Sequence, residues 1–276
     1  MRQIIDFHLH AGNYAELRTD IQELIRKIPL EDGVDVAEVF SNTDKMEAYL
    51  SRVGVVRSVM LAECGPGTNF SITSELIANR CKGSQILVPF GSVNPQFHTD
   101  AIAEFERSLE VGVKGFKFYP ADHDFDALSE TMMSIYQRCE ENNLVIMFHT
   151  GFTAQKDTSQ QYCNPAEFIP ILEAFPKLKV LFCHAGKPHW YDDTVTVLKQ
   201  YDNAYIDTAL VPVEVVKSFV DHHPEIIDKI IFGSDWPVCG NYENLLQRYE
   251  QAGFTEAQLD QILSTNGLSL INQHIV

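Results

Sequence analysis

Eight short apolar runs rich in β-branched residues lie near 4–10, 58–64, 86–93, 113–119, 145–150, 179–184, 204–210 and 230–235, separated by amphipathic stretches. Unbroken hydrophobic segments such as Leu144 to Phe148 suit strands covered on both faces, as in a parallel sheet. The stretches 100–111, 129–142, 165–175, 212–222 and 241–252 return an apolar residue every three or four positions, as on a half-buried helix; Ile102, Phe105 and Leu109 form one such stripe. Strand and helix thus alternate eight times, and an α/β chain with that count is expected to close into a (β/α)8 TIM barrel. An open doubly wound sheet is the rival, but no Gly-x-Gly-x-x-Gly follows a strand.

One domain spanning 1–276 is expected, because barrels of this kind often run to about 250 residues as one unit. With 45% hydrophobic residues the chain can bury a large core. Its formal net charge of −17 repels phosphate backbones and anionic headgroups, so neither nucleic acid nor a membrane is an expected partner. A small-molecule substrate is expected, and assembly into a homo-oligomer is left open. The six cysteines contain no Cys-x-x-Cys pair and are too sparse for a disulfide framework. Nothing resembles a signal peptide or an apolar span of about 18 residues, so a reduced, cytoplasmic location is expected.

The first connection, from Ala11 to Arg57, is long. It carries helical patterns around 17–28 and 43–53 with a Pro- and Gly-bearing break between them, and an insertion after strand one would sit over the barrel mouth. The segment 255–271 reads as a closing helix with Thr255 as N-cap.

Polar residues ending different strands converge at the C-terminal face of such a barrel. His8 and His10 are two residues apart and so share one face of a strand. His149, His184 and Asp235 each end a further apolar run. Imidazole and carboxylate donors suit zinc, and also manganese, iron or cobalt. On strand four Gly115, Lys117 and Tyr119 share a face; if it points inward, Lys117 is buried, which is costly unless the amine is paired, deprotonated or modified.

Together His8-x-His10, Lys117 in Lys-Gly-Phe-Lys-Phe-Tyr-Pro, His149 in Phe-His-Thr-Gly, His184 in Cys-His-Ala-Gly and Asp235 in Phe-Gly-Ser-Asp-Trp-Pro make the chain resemble the amidohydrolase superfamily. The branch it resembles holds the amidohydrolase-related, metal-dependent hydrolases and non-oxidative decarboxylases, and the likeness runs from Asp6 to Asn266. The resemblance implies an enzyme in which His8, His10 and Asp235 bind a divalent metal and Asp235 also takes a proton from the metal-activated water. In mononuclear relatives the strand-five histidine, here His149, joins the metal, and the strand-six histidine, here His184, contacts water or substrate as a catalytic partner of Asp235. In binuclear relatives a carboxylated lysine, here Lys117, bridges two metals and both histidines hold the second. The reading adopted is one metal and an unmodified Lys117 paired with a carboxylate such as Asp6 or Asp235.

Tyr119, Lys187, Trp190 and Trp236 follow strands four, six and eight and are the candidate substrate-binding residues. Arg18 and Arg52 in the insertion could reach an anionic group, although helix-surface arginines are commoner. Asp6, one step deeper than His8 on the same face, is a candidate support for the ligands. The leading function is hydrolysis of a small lactone, ester or amide-like compound. Decarboxylation of a small carboxylated aromatic or semialdehyde is the second, weakened because His184-Ala-Gly-Lys-Pro lacks the glycine-rich run frequent in decarboxylase relatives. A noncatalytic metal-binding barrel is the third.

Overall fold

The eight apolar runs do become strands, in parallel and in chain order. A computed structural model describes residues 2–153 and 160–271. β1 (Ile4–His10), β2 (Val55–Leu61) and β3 (Leu87–Phe90) form one parallel arc. β4 (Gly115–Phe118), β5 (Val145–His149), β6 (Lys179–Cys183), β7 (Ala204–Asp207) and β8 (Ile230–Ile231) form the other. Backbone hydrogen bonds join the arcs at both seams. Gly91 N donates to Gly115 O at 2.9 Å and Lys117 N to Gly91 O at 2.8 Å on one side. On the other, Phe7 N donates to Phe232 O at 2.9 Å, Asp235 N to His8 O at 2.8 Å and His10 N to Trp236 O at 3.0 Å. The ring is complete, and the architecture is the expected (β/α)8 TIM barrel.

Inside it Ile5, Phe7, Val59, Leu61, Val88, Phe90, Val145, Met147, Leu181 and Ile231 form a separate inner core, capped at the N-terminal end by Leu270 and Ile271. Gly115 occupies its inward position on β4 because a Cβ there would lie 2.4 Å from the Phe90 ring and 2.7 Å from the Val145 carbonyl oxygen. The larger apolar cluster lies between the strands and the outer helices, as alternate-face burial in a barrel requires.

The insertion holds α1 (Thr19–Arg26), α2 (Val36–Ser41) and α3 (Thr43–Arg52). The first and last match the two expected helical patterns; α2 occupies what the sequence presents as a break. It forms because Asp35 accepts from the Ala37 and Glu38 amides, satisfying donors that a six-residue helix cannot pair internally. Asn42 then ends α2 and caps α3.

Round the barrel follow α4 (Ser74–Cys81), α5 (Ala101–Glu110), α6 (Glu130–Glu141), α7 (Ile169–Ala174), α8 (Tyr191–Gln200), α9 (Val213–His222) and α10 (Tyr242–Gln251). The closing segment is α11 (Glu256–Asp260), a π turn at Gln261–Thr265, and α12 (Asn266–Ile271), begun by the Thr255 capping box. Among the described residues no helix is long and apolar enough to cross a membrane. None of the six cysteines is in a disulfide.

One local irregularity decides the site. Asp6 lies opposite Ser58 and Leu9 opposite Met60, so β1 spends one more residue than β2 between the same two rungs. This β-bulge breaks the period-2 alternation. Phe7 and His8 both turn inward, and Asp6 faces outward to accept from the Tyr242 hydroxyl at 3.1 Å and from Ser234 Oγ at 2.7 Å. The expectation that Asp6 shares the face of His8 is therefore corrected. It supports the site from behind, taking the His8 amide at 3.0 Å and the Ser234 amide at 2.9 Å.

Candidate metal centre at the barrel mouth

His8 and His10 project from the end of β1, and Asp235 follows β8 with φ of 63°. That left-handed backbone, tolerated better by Asp than by most residues, turns the carboxylate toward the imidazoles. Asp235 Oδ1 lies 3.1 Å from His10 Nε2 and 3.4 Å from His8 Nε2, and the two Nε2 atoms are 3.3 Å apart. One ligand atom from each of the three fits within a span of 4.8 Å.

The tautomers suit a cation. His8 Nδ1 donates to Asp207 Oδ2 at 2.7 Å, and since a carboxylate only accepts, His8 Nε2 keeps its lone pair for the shared space. Burial lowers the His8 imidazole to about 4, helped by Lys117 and opposed by Asp235 and Asp207. Burial would raise the Asp235 carboxyl, but His8, His10 and His184 outweigh it and hold it well below its usual range. A His8 imidazole held neutral beside an ionised carboxylate is the protonation state a divalent metal needs.

Asp207 is the ligand support that sequence reasoning missed. It ends β7 as Ala204-Tyr-Ile-Asp, the same pattern of an acid closing an apolar strand that singled out Asp235. Its Oδ1 also accepts from the His184 amide at 2.7 Å and the Ala209 amide at 3.1 Å. Burial raises this carboxyl, yet His8, His184 and Lys117 leave it far below the ordinary 3.8. Gly233 permits the approach, because a Cβ there would meet His8 Cβ at 2.9 Å and Asp207 Cβ at 3.2 Å. Asp207→Asn is expected to weaken divalent-metal binding about 10- to 100-fold, read by titration against a chelator; unchanged affinity would remove Asp207 from this role.

His149 and His184 form a second pair, with His184 Nε2 and His149 Nδ1 3.2 Å apart. His184 Nδ1 donates to the Ala209 carbonyl at 2.9 Å, so its Nε2 accepts and His149 Nδ1 is the donor. His149 Nε2 then faces Asp122 Oδ2 at 3.6 Å. Burial keeps both rings toward the neutral form. The His184 ring lies 4.9 Å from that of His8, so the pair borders the triad, while His149 stands outside the three-ligand grouping.

Lys117 does point into the barrel and is fully buried. The expected carboxylate partner is not there: no carboxylate among the described residues forms an ion pair with it. Its Nζ donates to Cys183 Sγ at 2.8 Å and lies 3.5 Å from His8 Nε2, over the Tyr119 ring. The reason is the bulge, which carries Asp6 outward, and the turn that directs Asp235 to His10. His8, Cys183 and Asp207 also fall within 4.8 Å of one another, but Asp207 already occupies one His8 nitrogen and Lys117 the Cys183 sulfur.

The four proposed substrate contacts separate. Tyr119 is buried and its hydroxyl is used on the Ala62 carbonyl at 3.0 Å. Trp236 is fully buried in the outer core against Tyr49 of α3, ring centroids 5.4 Å apart, so it anchors the insertion and does not line the opening. The backbone explains this correction: with Asp235 turned inward, the next side chain goes outward. Trp190 packs half-buried at the start of α8. Lys187 is half-buried after β6, its amine lowered by burial and drawn the other way by Asp235 and Asp207.

Behind the site His123 is buried against Gly65 with neither ring nitrogen hydrogen-bonded. Burial lowers it from 6.5 to about 4, opposed by Asp122. Between those values the unfolded chain binds the extra proton, so this contribution is complete above 6.5 and is lost as pH falls through 4. Denaturant unfolding of metal-free protein across that range should show stability falling with pH, with a shallower slope in His123→Phe. Parallel slopes would show that His123 is not the responsible group.

No curated protein matches the sequence. Among solved structures, an uncharacterised TIM-barrel protein from Bordetella bronchiseptica is 21% identical with a TM-score of 0.83, covering 99% of this chain and 100% of that one. A probable 2-pyrone-4,6-dicarboxylic acid hydrolase from Acinetobacter baumannii is 14% identical with a TM-score of 0.66, over 98% and 99%. A dihydroxybenzoic acid decarboxylase from Polaromonas, solved with bound manganese, is 14% identical with a TM-score of 0.72, over 99% and 97%. These likenesses establish the fold. The amidohydrolase family pattern matches residues 5–270, nearly the whole length and every residue of the triad. The chain belongs to the amidohydrolase family of enzymes.

Proposed function

We propose that this enzyme is a metal-dependent hydrolase of a small lactone, ester or amide-like substrate, with zinc as its first expected metal and manganese, iron or cobalt as alternatives. The observation that carries the reading is the triad itself: the Nε2 atoms of His8 and His10 and an ionised Asp235 carboxylate around one space, with His8 oriented by Asp207. His8 Nε2, His10 Nε2 and Asp235 Oδ1 would hold the ion. A bound divalent cation supplies Lewis acidity and lowers the pKa of water from about 15.7 toward 7.

The remaining work falls to the protein. Asp235 is placed to accept a proton from the attacking water and return it to the leaving group. His184, with its Nδ1 proton committed to Ala209 and its Nε2 accepting from His149 Nδ1, forms one hydrogen-bonded pair with His149 beside the triad; a proton taken by this pair at His149 Nε2 would offset developing negative charge. The His149 Nδ1 hydrogen bond fixes the orientation of His184, and Asp122, 3.6 Å from His149 Nε2, favours a proton arriving on that nitrogen.

Lys187 favours a second reading, decarboxylation. It is a half-buried cation near Asp235 with no hydrogen-bonded partner on its amine among the described residues, and it could receive a substrate carboxylate. The two are separated by assaying metal-loaded protein against neutral esters and lactones while following carbon dioxide release from carboxylated aromatics. Ester or lactone turnover supports hydrolysis, and carbon dioxide release without it transfers the assignment to decarboxylation. No turnover with any of the four metals would leave a noncatalytic metal-binding barrel.

A further inference from the structure

Beside the triad lies a cavity of about 190 Å³ that reaches His10 and Asp235. Its apolar walls come from the insertion, with Leu17, Ile21, Ile25 and Phe40 at the end of α2, from Ile72 after β2, and from Pro237 and Val238 after β8. Glu63, 3.9 Å from His10 Nδ1, supplies the charged side chain on the wall beside Asp235. Among the described residues no lysine or arginine lines the cavity. The two insertion arginines that could have faced it are engaged elsewhere: Arg18 pairs with Asp20 at 2.6 Å, and Arg52 lies 3.7 Å from Glu243 and over the Tyr49 ring.

The rim gives an independent observation. Leu24 and Val238, two of the few large apolar side chains exposed among the described residues, both line this opening, at 55% and 41% exposure. Apolar side chains left uncovered around an apolar hollow that opens on reactive groups are the arrangement of a ligand pocket. Seated among the apolar walls and away from the metal, a carboxylate would be desolvated beside Glu63 with no lysine or arginine among the described residues to offset it, whereas a hydrocarbon group loses nothing.

We infer that the insertion forms a subsite for the nonreacting part of the substrate, and that this part is a neutral, apolar acyl or aryl group about the size of a phenyl ring. An apolar cavity of about 150 Å³ admits benzene, which sets the scale. The inference rests on the hydrolase reading for the position of the reacting carbonyl, but the pocket and its charge preference stand on the walls alone. A carboxylate belonging to the substrate would have to lie on the opposite side, toward Lys187.

The test has a binding arm and a turnover arm. With isoleucine methyl groups labelled, toluene added to the full chain, stripped of metal so that benzoate has no ion to coordinate, should shift Ile21, Ile25 and Ile72 saturably, and benzoate should bind at least tenfold more weakly. Ile21→Trp, at a half-buried helix position, should abolish the Ile25 and Ile72 shifts while leaving the thermal midpoint near that of the parent. Benzoate binding as tightly as toluene, or toluene shifts absent from these three methyls, would overturn the inference. In the turnover arm, kcat/KM for alkyl-chain esters should rise about fourfold per methylene up to six carbons and flatten in Ile21→Trp. Toluene binding as described with no ester, lactone or amide hydrolysed would keep the apolar subsite and remove the hydrolase reading.

Discussion

Asp235→Asn is expected to lower kcat by about 10²- to 10⁴-fold while part of the bound metal is retained. The amide oxygen can still face His8 Nε2 and His10 Nε2, which lie 3.4 and 3.1 Å from Oδ1 in the parent. What it cannot do is accept a proton from water and deliver it to a leaving group. The substitution also removes the negative charge that opposes the lowering of the His8, His149, His184 and Lys187 pKa values, so all four groups should shift toward their neutral forms. Metal content by mass spectrometry beside steady-state kinetics separates the two effects. Full turnover with normal metal would end the proposed role of Asp235. Loss of all metal would assign the residue to binding alone.

Trp236→Ala is expected to destabilise the protein by about 3–5 kcal/mol, the range for deleting a buried aromatic side chain. The indole is fully enclosed, rests on Tyr49 of α3, and adjoins the residue whose left-handed backbone aims the Asp235 carboxylate. Its deletion leaves a hole between the insertion and the barrel. In a chain of this size the thermal midpoint should fall by roughly 10 °C. Trp236→Phe should recover most of the loss, since the indole nitrogen has no hydrogen-bond partner to forfeit. A Trp236→Ala protein with an unchanged midpoint and a raised KM would return this residue to the substrate wall.

The candidate residues that the structure gathers at the barrel mouth share one property: each depends on a strand ending. His8, His10, His149, His184 and Asp235 close apolar runs, and a parallel barrel brings strand ends together whatever their separation in the chain. Asp207 carried the same signal at the end of Ala204-Tyr-Ile-Asp and could have been found by it. Glu63, near the end of the apolar run 58–64, carried it too, whereas Asp122 did not, because it lies in a loop beyond β4, where no periodicity fixes direction. The Lys117 partner was misread for a different reason. Parity correctly placed the lysine inside, but pairing it with Asp6 assumed an unbroken alternation along β1, and the bulge between Asp6 and Leu9 removed that option.

Sequence alone determined the class of fold, the order and approximate limits of its strands, the position of the insertion and which residues are candidates to hold a metal. These follow from local periodicity and from donor chemistry, which belong to the chain itself. The tertiary structure decided which nitrogen of His8 is free, that Asp207 frees it, that Lys117 meets a thiol in place of a carboxylate, and that Trp236 is core. It also decided that the insertion folds an apolar cavity of about 190 Å³ against His10 and Asp235. Each of these depends on ångström-scale placement of residues distant in sequence, set by one extra residue in β1, two left-handed site residues at His184 and Asp235, and a glycine at 233.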